Sequence, residues 1–198
     1  MSRITPCLLL FMLLLGCEQQ QGDATASAVP EEELIAEEEE TAQPVSDAFE
    51  EALQALGVLD YELKVLDTLA PSENFLLKRL TYLGQFEKFK EQADYQAALT
   101  AGMLRCTSAR LKSTRELGSR LFPRVAIEYW RFADTLSAQA AFKAVEEIRD
   151  KYGWDQISKS PITYGRLGTQ LYFITPGGFY MLEEVPPIEK ILRAALTE

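Results

Sequence analysis

Charge is distributed so unevenly along this chain that it decides which part can fold. Between Glu18 and Asp47 there are ten acidic residues and no basic one, with glutamate runs at Glu31–Glu33 and Glu37–Glu40. A stretch of low hydrophobicity and one sign of charge cannot bury enough apolar surface to offset the entropy of ordering it. It reads as a disordered tether, and extended it reaches roughly 90 Å at about 3.4 Å per residue. From Ala48 to Glu198 there are twenty acidic and nineteen basic residues, so the foldable part is close to neutral. The overall net charge of -10 therefore belongs to the tether. This divides the chain into a leader (1–16), an acidic linker (17–46) and a single domain (47–198).

The leader carries the most specific chemistry. Arg3 precedes an uninterrupted apolar run from Leu8 to Leu15. A spanning helix needs about 20 apolar residues, whereas this run has the length of a signal-peptide core. Leu14-Leu15-Gly16-Cys17 then follows. That order resembles the lipobox of bacterial lipoprotein precursors. The resemblance implies a diacylglycerol on the Cys17 sulfur, cleavage between Gly16 and Cys17, and acylation of the new amino group by a fatty acid such as palmitate. Two or more acyl chains anchor stably where one binds only marginally. Glu18 stands where an inner-membrane retention signal would be aspartate, which favours the periplasmic side of the outer membrane.

Other residues narrow the chemistry. Cys7 leaves with the leader and Cys17 takes lipid, so Cys106 is left without an intramolecular disulfide partner. The chain has no histidine. That removes Ser/His/Asp and Cys/His nucleophile systems and the commonest metal ligand. No phosphate-binding glycine pattern precedes a helix. The sequence calls for no cofactor and no metal, and the near-neutral domain is not a nucleic-acid binder. Glu128, in an otherwise apolar stretch, is the single carboxylate whose burial would matter; an exposed edge or an arginine partner is its ordinary fate.

Spacing divides the domain into a helical part (47–122) and a mixed part (123–198). Phe49, Leu53 and Leu56 form one helical stripe behind a capping pair, Asp47 and Glu50. Leu59, Leu63, Leu66 and Leu69 continue at helical spacing to Pro71, and Ser72 opens a third helix through Leu83. A longer helical region is expected from Phe86 to Phe122. From Arg105 in this region to Arg124 just beyond it, Arg105, Arg110, Lys112, Arg115, Arg120 and Arg124 stand against a single acid, Glu116. The first five are the candidate surface for an anionic partner, whether lipopolysaccharide phosphates, an acidic protein patch or this chain's own glutamates.

After Pro123 the pattern turns to strands. Val125–Phe132 is aromatic and β-branched with apolar groups on both faces, as in a strand covered on both sides. Ser137 is the expected cap of a helix to Tyr152. An edge strand falls within Ile157–Tyr164, and Pro176-Gly177-Gly178 reads as a hairpin between Leu171–Thr175 and Phe179–Val185. Pro186-Pro187 stops the sheet before a final helix. The fold class is α+β: a helical N-terminal half, then a small antiparallel sheet with flanking helices. In element order the mixed half is similar to ferredoxin-like folds and to SPOR domains that bind peptidoglycan, although a closing strand is missing and no motif residues match. Tyr129, Trp130 and Trp154 are a candidate aromatic platform for a sugar.

These readings predict a lipid-anchored envelope protein with a non-catalytic domain that binds or scaffolds a protein partner. The alternatives are a carrier for an apolar ligand and a hydrolase or transferase with a carboxylate centre. A closed apolar cavity would favour the carrier, and clustered carboxylates in a cleft the enzyme.

Overall fold

The structure, a computed structural model, describes residues 46–86 and 95–197. The leader, Cys17 and most of the acidic linker lie outside the described residues. No described helix is long and apolar enough to cross a membrane.

Helix α1 (Ser46–Ala55) leads through a 3-10 turn (Leu56–Leu59) into strand β1 (Tyr61–Leu69). Asp60 makes the corner in the left-handed region, with φ 63°. Helix α2 (Phe75–Leu83) follows, then α3 (Tyr95–Thr100), β2 (Met103–Ser113) and β3 (Arg124–Phe132). Helix α4 (Thr135–Tyr152) and the short α5 (Trp154–Ile157) precede β4 (Thr163–Leu167) and β5 (Gln170–Pro176). A 3-10 segment (Phe179–Glu184) and α6 (Val185–Thr197) complete the order.

The α+β class holds, but the expected helical part contains two strands. Among the described residues the strands form one five-stranded sheet in the order β1-β2-β3-β5-β4, and every neighbouring pair is antiparallel. The leucines Leu63, Leu66 and Leu69 lie on β1, not on a helix. β1 is an edge strand exposed on both faces, so it lacks the alternation that betrays a half-buried strand. Of the long helix expected between Phe86 and Phe122, residues 87–94 lie outside the described residues, Tyr95–Thr100 is helical as α3, and β2 takes Met103–Ser113. Its inward residues are mostly small, Cys106, Ala109 and Ser113, and give little apolar periodicity.

Three further expectations change. Pro176-Gly177-Gly178 ends β5 and opens the 3-10 segment; the hairpin joins β4 to β5 instead, where Gly168 has φ 55°. Asp134, not Ser137, caps α4: its carboxylate accepts from Ser137 N at 2.8 Å and from Ser137 Oγ at 2.8 Å. Asn74, not Ser72, caps α2, accepting from Leu77 N at 2.9 Å while its amide donates to the Pro71 carbonyl. Pro186 and Pro187 sit in the first turn of α6, where missing N–H groups cost nothing.

Helices pack on both faces of the sheet. One face carries Ala109, Leu111, Val125, Ile127, Tyr129, Tyr172 and Ile174 against α1, the 3-10 segment and α6. The other carries Cys106, Trp130, Phe132, Leu171 and Phe173 against α2, α3, α4 and α5. β3, α4 and β4 form a split β-α-β unit with β5 between its strands. β2 lies on the other side of β3, and α6 packs on the face opposite α4.

Candidate functional site

Register assigns side chains to rows across the second face, because residues paired across neighbouring strands share a side. The first row is Leu69, Cys106, Trp130 and Leu171; the second is Asp67, Ser108, Glu128 and Phe173. Then come Val65, Arg110, Ala126 and Thr175, and finally Glu62, Lys112 and Arg124. Helices cover the first row: Cys106, Trp130 and Leu171 are 0% exposed. Arg110 and Ala126 in the third row are exposed. The second row is thus the border between a packed half and an open half.

Glu128 builds that border. Its carboxylate accepts from Phe75 N at 3.0 Å, from Trp130 Nε1 at 2.7 Å and from the Cys106 thiol at 3.6 Å. Phe75 is the first residue of α2, so the carboxylate meets an N–H that helix geometry leaves without an intrahelical partner. Burial raises the Glu128 pKa above the ordinary glutamate value, and the three donors oppose that shift without cancelling it. Burial also pushes the Cys106 thiol up, with the Glu128 carboxylate adding to the effect. Neither the exposed edge nor the arginine partner expected for Glu128 is present. It is a buried group on a central strand, held by neutral donors, with the Lys78 ammonium a weaker influence.

Beyond Glu128 the sheet opens into a trough of two compartments. The upper one has a volume of about 540 Å³, with walls from Phe75, Ile157, Ile162 and Phe173 and charged residues Asp67, Glu73, Lys78 and Arg79 around it. The lower one, about 410 Å³, is lined by Lys64, Arg110, Lys112 and Arg124 over Val65, Ala126 and Pro176. Arg110, Ala126 and Thr175 line both, so the compartments are continuous. Both are open to solvent, and their volumes lie in the range of ligand sites. The α2–α5 wall is braced by Arg79, whose guanidinium donates to the Gln156 carbonyl at 2.9 Å and 3.1 Å.

The basic residues singled out in the sequence do not form one surface. Arg110 and Lys112 line the trough, joined there by Arg124 and by Lys64, which no sequence pattern marks. Arg105 points to the opposite face beside Tyr129 and donates to Thr68 Oγ1 at 3.2 Å. Arg115, after β2, is ion-paired with Glu184. Arg120 sits in the β2–β3 connection with φ 63°, its backbone N–H bonded to Glu116. Even on a single helix these five would spread over more than one face, at about 100° per residue; the strand and loop that form instead place them on different elements.

The aromatic platform is not assembled. Trp130 is 0% exposed and packs at 4.4 Å between ring centroids against Phe173. Tyr129 lies on the other face, 3% exposed and stacked on Phe49 at 4.6 Å. Trp154, on α5, meets Tyr164 edge-on at 5.2 Å. Two successive residues of a strand point to opposite faces, so Tyr129 and Trp130 cannot share a surface.

The three acids near the upper compartment do not amount to a metal centre. Among the described residues no group of three or more Cys, Asp or Glu is placed to hold a metal ion. No protein-family model matches this chain, and no curated protein or solved structure matches it either.

Proposed function

We propose that this chain is a lipid-anchored cell-envelope protein whose α+β domain is a non-catalytic binding or scaffolding module, with the trough as its binding surface. One observation carries the reading: among the described residues no helix covers half of a sheet face, and those rows form a continuous trough edged by cations. The leader supports the anchor and the envelope, with the outer membrane favoured by Glu18. The open shape speaks for an interaction module over a carrier, since carriers enclose most of their ligand. The partner is a protein of the envelope.

A crosslinking experiment tests this. A photoreactive residue replacing Thr175 in the trough should capture a discrete envelope protein, and Ala126→Trp, which fills the floor, should abolish that adduct. The same residue replacing Lys190 on α6 should not capture it. Adducts that are equal at the two positions and insensitive to Ala126→Trp would remove the trough from the function. Cys17→Ala should release the protein from membranes and end lipid labelling; unchanged membrane association and labelling would refute the anchor.

A second reading, an enzyme with a carboxylate centre, draws on the raised pKa of Glu128 at the border of the cleft. Its bonds to three donors within the fold favour a structural task instead.

A further inference from the structure

The two compartments differ in charge, and the difference selects an occupant. The cations lining the lower compartment, Lys64, Arg110, Lys112 and Arg124, are accompanied by no lining carboxylate. Arg110 and Arg124 make no ion pair among the described residues, and the Lys112 ammonium lies 4.7 Å from the centroid of the Phe122 ring. Glu62 is ion-paired with Lys64 and also stands opposite Lys112 in the register, so one carboxylate borders two of the four cations. The floor is low: Ala126 and Thr175 let a chain approach the sheet closely. The upper compartment is different. Its walls are apolar, and its lining charges offset one another, Asp67, Glu73 and Glu128 against Lys78, Arg79 and Arg110, so it carries no surplus of cations.

We infer that the trough takes an extended acidic peptide segment of the partner protein. Its carboxylates meet Arg110, Lys112 and Arg124, and one bulky apolar side chain rests on the apolar wall of Phe75, Ile157 and Ile162. The inference rests on reading the domain as a binding module. The shape favours a peptide over a free fatty acid, because an acyl chain in an open trough keeps one side in water. A peptide keeps its polar backbone toward solvent while its side chains face the sheet. The charge asymmetry fixes direction: the acidic part lies over the lower compartment and the apolar anchor follows above it.

The test uses the detergent-solubilised full chain and a fluorescein-labelled peptide with a glutamate run beside one phenylalanine, read by anisotropy. Binding should saturate and weaken as salt rises. Arg110→Glu should weaken it at least about tenfold, as should replacing the peptide's phenylalanine by alanine. Lys143→Glu, on the exposed side of α4, should leave it unchanged. Ala126→Trp provides a block that alters no charge, and thermal unfolding of each variant separates loss of binding from loss of fold. Equal affinity for a lysine-run peptide, or a folded Arg110→Glu protein that binds as before, would overturn the inference. So would binding of phosphatidylglycerol vesicles that Arg110→Glu abolishes while the peptide does not bind, which would give the site to a membrane surface. If the Thr175 adduct is captured and lost with Ala126→Trp, yet the peptide does not bind, the module stands and only the acidic segment falls.

Discussion

The two faces of the sheet are built from the same strands and end differently. On one, α1, the 3-10 segment and α6 cover the strands, and Ile127, Tyr172 and Ile174 are fully buried. On the other, α4 is 18 residues long, about 27 Å at 1.5 Å per residue, yet cover reaches only to the row of Glu128. Past it, exposed Arg110 and Ala126 face solvent. Fold stability therefore draws more on the first face than on the second, half of which the described helices leave open.

Substitutions can break or sharpen that contrast. The largest expected effect is Trp130→Ala. It removes a fully buried ring packed on Phe173 and a donor to Glu128, and should cost about 4 kcal/mol in chemical denaturation. A loss under about 1 kcal/mol would show that the covered half is not a true core. Next comes Glu128→Gln, expected to cost about 2 kcal/mol because Oε1 accepts from Trp130 and Cys106 and shares the Phe75 N–H with Oε2, so an amide NH2 faces a donor whichever way it turns.

The same residue sets a pH dependence. Glu128 holds its proton more tightly folded than unfolded, so the native state binds more protons between the ordinary value of 4.5 and the raised native pKa. Its contribution is fully favourable below that window and is lost as pH rises through it. Denaturation curves across the window should show this slope in the wild type and its absence in Glu128→Gln. A smaller cost, about 1–2 kcal/mol, is expected for Gly165→Ala on the covered face, where an added Cβ would run into the Tyr172 hydroxyl. That hydroxyl donates to Glu189 at 2.6 Å and accepts from Arg193 at 2.8 Å, so the change also loosens α6. Least of all, Ala126→Ser in the trough should move stability by no more than about 0.5 kcal/mol. A larger loss there would mean that the open half is tightly packed after all.

How far the sequence discloses this depends on whether a signal is local. β3 is legible because Val125–Phe132 carries apolar groups on both sides, and α4 because Ala141, Val145 and Ile148 repeat at helical spacing. β1 is illegible for the opposite reason: Leu63 and Val65 are both exposed on an edge strand, and the spacing of its leucines mimics a helix. Turn chemistry at Pro176-Gly177-Gly178 marks a break in β5 but does not distinguish a hairpin from a 3-10 turn. The trough is beyond the reach of local pattern because its cations come from β1, β2 and β3 and are gathered only by register. Arg110 and Lys112 are visible as charges. Their shared face requires knowing that they stand two apart on a strand.

The strand order also bears on how the molecule is made. β5 is the last strand in sequence, yet it lies inside the sheet between β3 and β4. Until Gln170–Pro176 is available, the chain before it can pair only β1, β2 and β3, and the inner edge of β3 stays bare. The central pairing is therefore a late, long-range event, of the kind that slows folding and exposes an edge to aggregation. A chain delivered end first, N-terminus leading, would complete its sheet only when nearly all of it has arrived.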